Sequence, residues 1–247
     1  MSRWQIGPKF SAYLNMNLSL VKAELGFIIF YSLMYGYMGI GTLQRGNLSA
    51  AILYLAFSYI YIAINCVPKL YKDSLYSSQA MLFQSVPVSE FETILAKTLA
   101  GTVGFVIALM CYGAVFTATL GSNETLWRQI YGSAIEAGFS EGQMAAAAFL
   151  SGWCGLLLGF CASGICLLGC AVSHRWSRGQ NRVVKLVMNL VVTSMMLAAA
   201  AGILWLIWLP AAVPAMVRLT LIMAFGAGLS MMLIRANLAA LEKWYSI

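Results

Sequence analysis

The chain has 247 residues, 61% of them hydrophobic and 9% charged, with a mean hydropathy of +0.81 and a formal net charge of +7. Soluble domains carry about 25% charged residues, so this composition excludes a soluble enzyme and describes a chain that is almost wholly membrane domain. The positive charge does not mark a nucleic-acid binder, because the basic residues sit at the ends of apolar runs, where membrane insertion places them.

The N-terminus, MSRWQIGPKFSAYLNMNLSL, lacks a compact apolar core with a small-residue cleavage site, so no cleaved signal is expected. Pro8 suits the first turn of a helix. Phe10, Tyr13, Leu14, Leu18 and Val21 then recur at helical spacing, with Lys9, Asn15, Asn17 and Lys22 largely elsewhere. Residues 1–24 therefore predict an amphipathic helix lying on the inner membrane face; a frayed cytoplasmic tail is the alternative. The remainder, 25–247, predicts one transmembrane domain. A span needs about 20 mostly apolar residues, and six segments qualify: 25–43, 48–67, 98–120, 144–172, 186–209 and 215–234. The first five contain no Asp, Glu, Lys or Arg, and the sixth contains only Arg218, near its start. Lipid offers no partner for an open backbone, so the spans are helices and the fold is all-α.

Between spans two and three lies PKLYKDSLYSSQAMLFQSVPVSEFETILAK. Asp73 or Ser74 caps a helix running to about Gln84, with Leu75, Ala80, Met81, Leu82 and Phe83 as its apolar surface. Pro87 stops it, because the residue before proline disfavours helix. Ser89 and Glu92 form a capping box that starts a new helix into span three. A helix, a sharp break and a capped helix suit the transmission of force to a partner; the alternative is a simple interfacial anchor for span three.

The loop after span three predicts a short external helix from Asn123, with Leu126, Ile130, Ala134 and Ile135 on one side. Ser140 and Gln143 repeat the capping-box pattern before span four. Gly155, Gly159 and Ser163 share a face of span four, Ala198 and Gly202 of span five, and Gly226 and Ser230 of span six. Small residues at this spacing let helices approach closely, and packing within the chain is the preferred use. After span four, SHRWSRGQNRVVK gathers Arg175, Trp176, Arg178, Arg182 and Lys185. That loop suits anionic lipid head groups and offers a second cytoplasmic contact through Arg175, Trp176 and Arg178. With the N-terminus inside, twelve of the fifteen Lys and Arg residues fall on the inner side, leaving Arg45, Arg128 and Arg218 outside. Both termini are thus expected in the cytoplasm.

The span centres hold no ionisable residue, although ion-coupled carriers commonly place carboxylates or histidine there. The lone histidine, His174, lies in an inner loop. Cys161, Cys166 and Cys170 have no histidine or carboxylate beside them, so no metal site is expected. No phosphate-binding glycine loop ending in Gly-Lys-Ser/Thr is present. No catalytic, cofactor-binding or metal residue is therefore assigned, and any ATP and Mg would be held by another chain.

Val86, Pro87, Val88 and Ser89, followed by Ile94, Leu95, Ala96 and Lys97, resemble the turn and helix start between spans two and three of ABC-2-type membrane (permease) subunits of bacterial ABC transporters. Length, six spans, inner termini and an N-terminal amphipathic helix fit the same family. The sequence likeness covers some fourteen residues. Val86 replaces the usual leucine, Glu90 and Phe91 stand where basic residues are common, and the connection between spans five and six is short. The resemblance implies a docking (coupling) helix just before the turn, with Ser74, Leu75, Met81, Leu82, Phe83, Pro87, Ser89 and Glu92 as its contact region for a separate ATPase subunit. It further implies a second copy or a paralogue as pairing partner, the bacterial cytoplasmic membrane as location, and export of an amphipathic or hydrophobic cargo such as a peptide toxin or bacteriocin. A membrane scaffold without transport activity and an ion-coupled carrier are the rival readings.

Overall fold

The structure is a computed structural model that describes residues 6–45, 53–54, 57–58, 60–62, 71, 86–120, 124–136, 138–177, 187, 194 and 214–245. Five α-helices carry the described architecture: α1 (Phe10–Leu43), α2 (Glu90–Leu120), α3 (Glu124–Glu136), α4 (Met144–Ser177) and α5 (Ala215–Tyr245). Four of them, α1, α2, α4 and α5, are long and apolar enough to cross a membrane. Each has 31 to 34 residues, or about 45–50 Å at the helical rise, against a hydrocarbon core of about 30 Å. The expected spans at 25–43, 98–120, 144–172 and 215–234 lie within these four helices. Of 48–67 only 53–54, 57–58 and 60–62 are described, all of them helical, and of 186–209 only 187 and 194.

Side chains that would be misplaced in water are exposed along these helices, including Tyr37 at 78%, Met232 at 71% and Met110 at 69%. Exposed apolar surface on this scale needs a cover, and lipid is the cover that helices of this length and composition meet. The chain is a multi-pass membrane protein.

Residues 10–24, expected to lie on the inner membrane face, join the first expected span in one unbroken helix, α1, which runs to Leu43. The physical reason is local. No glycine or proline occurs between Lys9 and Leu25, so nothing breaks the helix. Asn17, expected away from the apolar face, is buried together with Tyr13 and Val21.

Helix direction follows from the contacts. Gly7 meets Glu92, Asn17 meets Lys97, Ile28 meets Gly104 and Gly36 meets Val115, so α1 and α2 run parallel. Leu157 meets Gly226, Cys161 meets Ser230 and Gly164 meets Leu233, so α4 and α5 are also parallel. Thr98 meets Ser163 and Phe105 meets Gly159, which makes α2 and α4 antiparallel. The core lies where these helices converge, around Ile28, Ile62, Tyr71, Ile94, Phe105 and Cys166. A Cβ at Gly159 would stand 2.8 Å from the Phe105 Cβ, so only glycine permits this approach of α4 to α2. The small faces of spans four and six thus pack within the chain. The face with Ala198 and Gly202 is outside the described residues.

The expected external helix is present as α3, and Gly138, just beyond it, lies beside the Arg218 guanidinium. The segment after α3 and the start of α5 therefore share one end of the molecule. Asn123 is not among the described residues. The Ser140 backbone N–H donates to the Gln143 side chain at 3.2 Å, half of the expected capping box, and a single 3-10 turn, Glu141–Gln143, leads into α4.

Candidate functional site

The opposite end of the molecule holds the elbow before α2. Proline fixes its own backbone and cannot donate. The chain turns tightly there, with the Val88 N–H donating to the Val86 carbonyl at 2.9 Å across Pro87. Ser89 and Glu92 then close the expected capping box in both directions. The Ser89 N–H donates to Glu92 Oε2 at 2.7 Å, and the Glu92 N–H donates to Ser89 Oγ at 3.2 Å. Glu90 and Glu92 both sit in the first turn of α2, where carboxylates favour the positive end of the helix dipole.

Glu92 does more than its position in a capping box requires. Its second oxygen, Oε1, accepts from the Gly7 N–H at 2.6 Å. One carboxylate therefore caps α2 and holds the chain leading into α1. The side chain is only 5% exposed, so its oxygens face inward, whereas Pro87, Ser89 and Glu90 are exposed. Around this clamp Tyr13 and Ala96 form a small apolar cluster flanked by Phe10, Leu14, Val86 and Val88.

One turn further along, Lys97 is 2% exposed. A helical Cβ leans toward the helix N-terminus, so the lysine stem runs back toward the elbow. Its ammonium donates to Asn17 Oδ1 at 3.3 Å and stands 5.9 Å from the Tyr13 ring centroid. Asn17 in turn donates through Nδ2 to the Tyr13 carbonyl at 2.8 Å. Asn17→Leu should leave the buried ammonium without this acceptor and lower stability by about 1–3 kcal/mol. Thermal unfolding of purified protein checks this, and Asn17→Asp, which keeps an acceptor, should lose less.

A second polar knot joins α2, α4 and the chain at Tyr71. Tyr71 is helical and 1% exposed, although the sequence placed it in a cytoplasmic loop. Ser163 Oγ donates to the Thr98 carbonyl at 3.0 Å and lies 2.5 Å from Tyr71 Oη. A hydroxyl has one hydrogen, so with that of Ser163 committed to Thr98, Tyr71 is the donor of the pair. On α5, Asn237 Nδ2 donates to the Gly164 carbonyl at 3.1 Å, which ties the fourth long helix to the same level.

Of the expected coupling residues, Pro87, Ser89 and Glu92 are brought together at the elbow. Ser74, Leu75, Met81, Leu82 and Phe83 lie outside the described residues, as does Arg178. Arg175 and Trp176 fall in the last turn of α4. Sequence reasoning assigned none of these polar contacts to Gly7, Asn17, Lys97, Tyr71 or Ser163. A signal existed for two of them, since Asn17 and Lys97 are polar residues inside otherwise apolar helical stretches. Tyr71 carried none. Comparison with protein families, curated proteins and solved structures finds no match for the chain.

Proposed function

We propose that this chain is the membrane subunit of an ABC-2-type ATP-driven exporter in a bacterial cytoplasmic membrane, with six spans and both termini in the cytoplasm. The observation that carries the proposal is the elbow. A proline break and a doubly satisfied capping box are welded to the head of α1 through Glu92 and Gly7. An interfacial anchor needs only the cap. A rigid corner tied to a second helix is suited to receive a push and pass it on to two spans together.

The parallel helix pairs support the six-span count. In this reading the chain returns across the membrane between residues 45 and 86, in keeping with α2 parallel to α1, and again between 177 and 214, in keeping with α5 parallel to α4. Those intervals contain the expected spans at 48–67 and 186–209. With six crossings the two termini share one side, and the Lys and Arg distribution makes that side the cytoplasm.

In this reading, ATP and Mg are held by a separate ATPase subunit that docks on the chain around Ser74 to Phe83, with Arg175, Trp176 and Arg178 as a second contact. A second copy or a paralogue completes the pair. The charge-free span centres suit an amphipathic or hydrophobic cargo, a peptide in the first instance. Lys97 does not revive an ion-coupled carrier, because it sits at the elbow end, held by Asn17 and Tyr13. The test is affinity purification from native membranes under mild detergent. An ATPase bearing a phosphate-binding glycine loop should copurify; recovery of the chain without one would favour a scaffold.

A further inference from the structure

We propose that the middle of the seam between α1 and the helical residues described between 53 and 62 is a binding site for a bulky amphipathic cation, held against the rings of Tyr31, Tyr35, Tyr54 and Tyr61. The inference rests on the exporter reading and narrows its amphipathic cargo to one sign of charge.

Tyr31 packs on Tyr61 with ring centroids 3.9 Å apart, and Tyr35 faces Tyr54 at 6.4 Å. The two stretches are therefore antiparallel, and the pairs form two rungs one helical turn apart on α1. All four tyrosines are half-buried. Tyrosine in a membrane protein gathers at the interfaces, where its hydroxyl meets water. These four stand six residues or more inside the ends of the expected spans 25–43 and 48–67, about 9 Å deep at the helical rise. Between the rungs in sequence lie Ser32 and Ser58, both fully buried, whose oxygens meet no hydrogen-bond partner among the described residues. Thr102, Thr117 and Thr220, by contrast, donate to carbonyls of their own helices one turn back. Lipid cannot pair such hydroxyls, and an unpaired buried one costs free energy, so this layer suits a guest more polar than an acyl chain. On the inner side α2 closes the seam, since a Cβ at Gly104 would lie 3.3 Å from Ile28 Cδ1 and 3.7 Å from Ile62 Cγ2. A guest therefore approaches from the half-exposed tyrosine side. The rings set its charge: an aromatic face is negative and attracts a cation within about 6 Å of its centroid. No carboxylate lies in the span centres, so a compact ammonium would not offset its desolvation there. A large cation with its charge spread over several carbons loses less on leaving water and offers the rings apolar surface.

The experiment measures binding of radiolabelled tetraphenylphosphonium to the purified full chain in lipid nanodiscs. Binding above that of empty nanodiscs should saturate, and neutral triphenylphosphine oxide should compete about tenfold more weakly than the unlabelled cation. Tyr31→Leu and Tyr61→Leu should each weaken binding about tenfold, the scale of a desolvated contact between a ring and a cation. A photoreactive azido derivative of the same cation should label peptides bearing Tyr31, Tyr35, Tyr54 or Tyr61. That labelling uses the unaltered chain, so it carries the test if the variants do not fold. Absence of saturable binding, equal competition by the neutral compound, unchanged affinity in the folded variants, or label elsewhere overturns the site. Copurification of an ATPase is read separately. A chain that brings an ATPase but fails these tests loses only the site, and one that binds the cation without bringing an ATPase loses the exporter reading.

Discussion

Glu92→Ala is expected to release the head of α1 from the elbow and to destabilise the protein by about 2–4 kcal/mol, the loss of a helix cap together with a part-buried N–H left unpaired. Three hydrogen bonds depend on that side chain's place. Ser89 N–H and Gly7 N–H lose their acceptor outright, and the return bond from Glu92 N–H to Ser89 Oγ loses its reciprocal partner. Alanine also empties a buried volume between the Gly7 turn and α2. Thermal unfolding reads the stability loss, and protease cleavage near Gly7 reads the detachment. Glu92→Gln should retain a substantial part, because glutamine serves in a capping box, but one of its two terminal atoms is a donor and cannot accept from both N–H groups. Equal losses in the two variants would contradict this, because the one remaining acceptor of glutamine would then hold neither N–H.

Gly101→Ala should also be damaging, with an expected cost of about 1–3 kcal/mol or more from overpacking. The added methyl meets Ser163 Oγ, Tyr71 Oη and, at 3.2 Å, Ser163 Cβ. None of these is the free end of a flexible chain, since both oxygens are held in the same hydrogen-bonded knot. The helices must part or the knot must break. Removing both oxygens should relieve part of the clash, so the Gly101→Ala cost measured in a Tyr71→Phe, Ser163→Ala background is expected to be smaller, a difference that a mutant cycle isolates. Gly113→Ala is the internal control. It lies on the same helix with open space around its Cβ position, and should be neutral or slightly stabilising through helix propensity.

Helices with long apolar runs were legible in the sequence because lipid demands a self-satisfied backbone over a fixed thickness, and the signal accumulates over some twenty residues. The capping box at Ser89 and Glu92 was legible because its chemistry is local. What lay beyond the sequence was the partner of each local feature. Nothing in the spacing of Gly7 and Glu92, eighty-five residues apart, says that one closes the other's second oxygen. The same holds for Asn17 with Lys97 and for Tyr71 with Ser163, separated by eighty and ninety-two positions. The partners of the N-terminal segment lay beyond the sequence for a related reason. Its apolar face was assigned to the membrane surface, whereas Tyr13, Asn17 and Val21 turn toward α2, and an asparagine on a buried face becomes intelligible only once Lys97 stands opposite.

The proposed exporter role is tested most directly by ATP hydrolysis of material purified from native membranes, compared between the unaltered chain and Phe83→Arg at matched protein levels. The unaltered chain should bring an ATPase with it and raise its hydrolysis, and Phe83→Arg should return the rate to that of the ATPase alone. Hydrolysis indifferent to Phe83→Arg, or a chain that brings no ATPase at all, would contradict it.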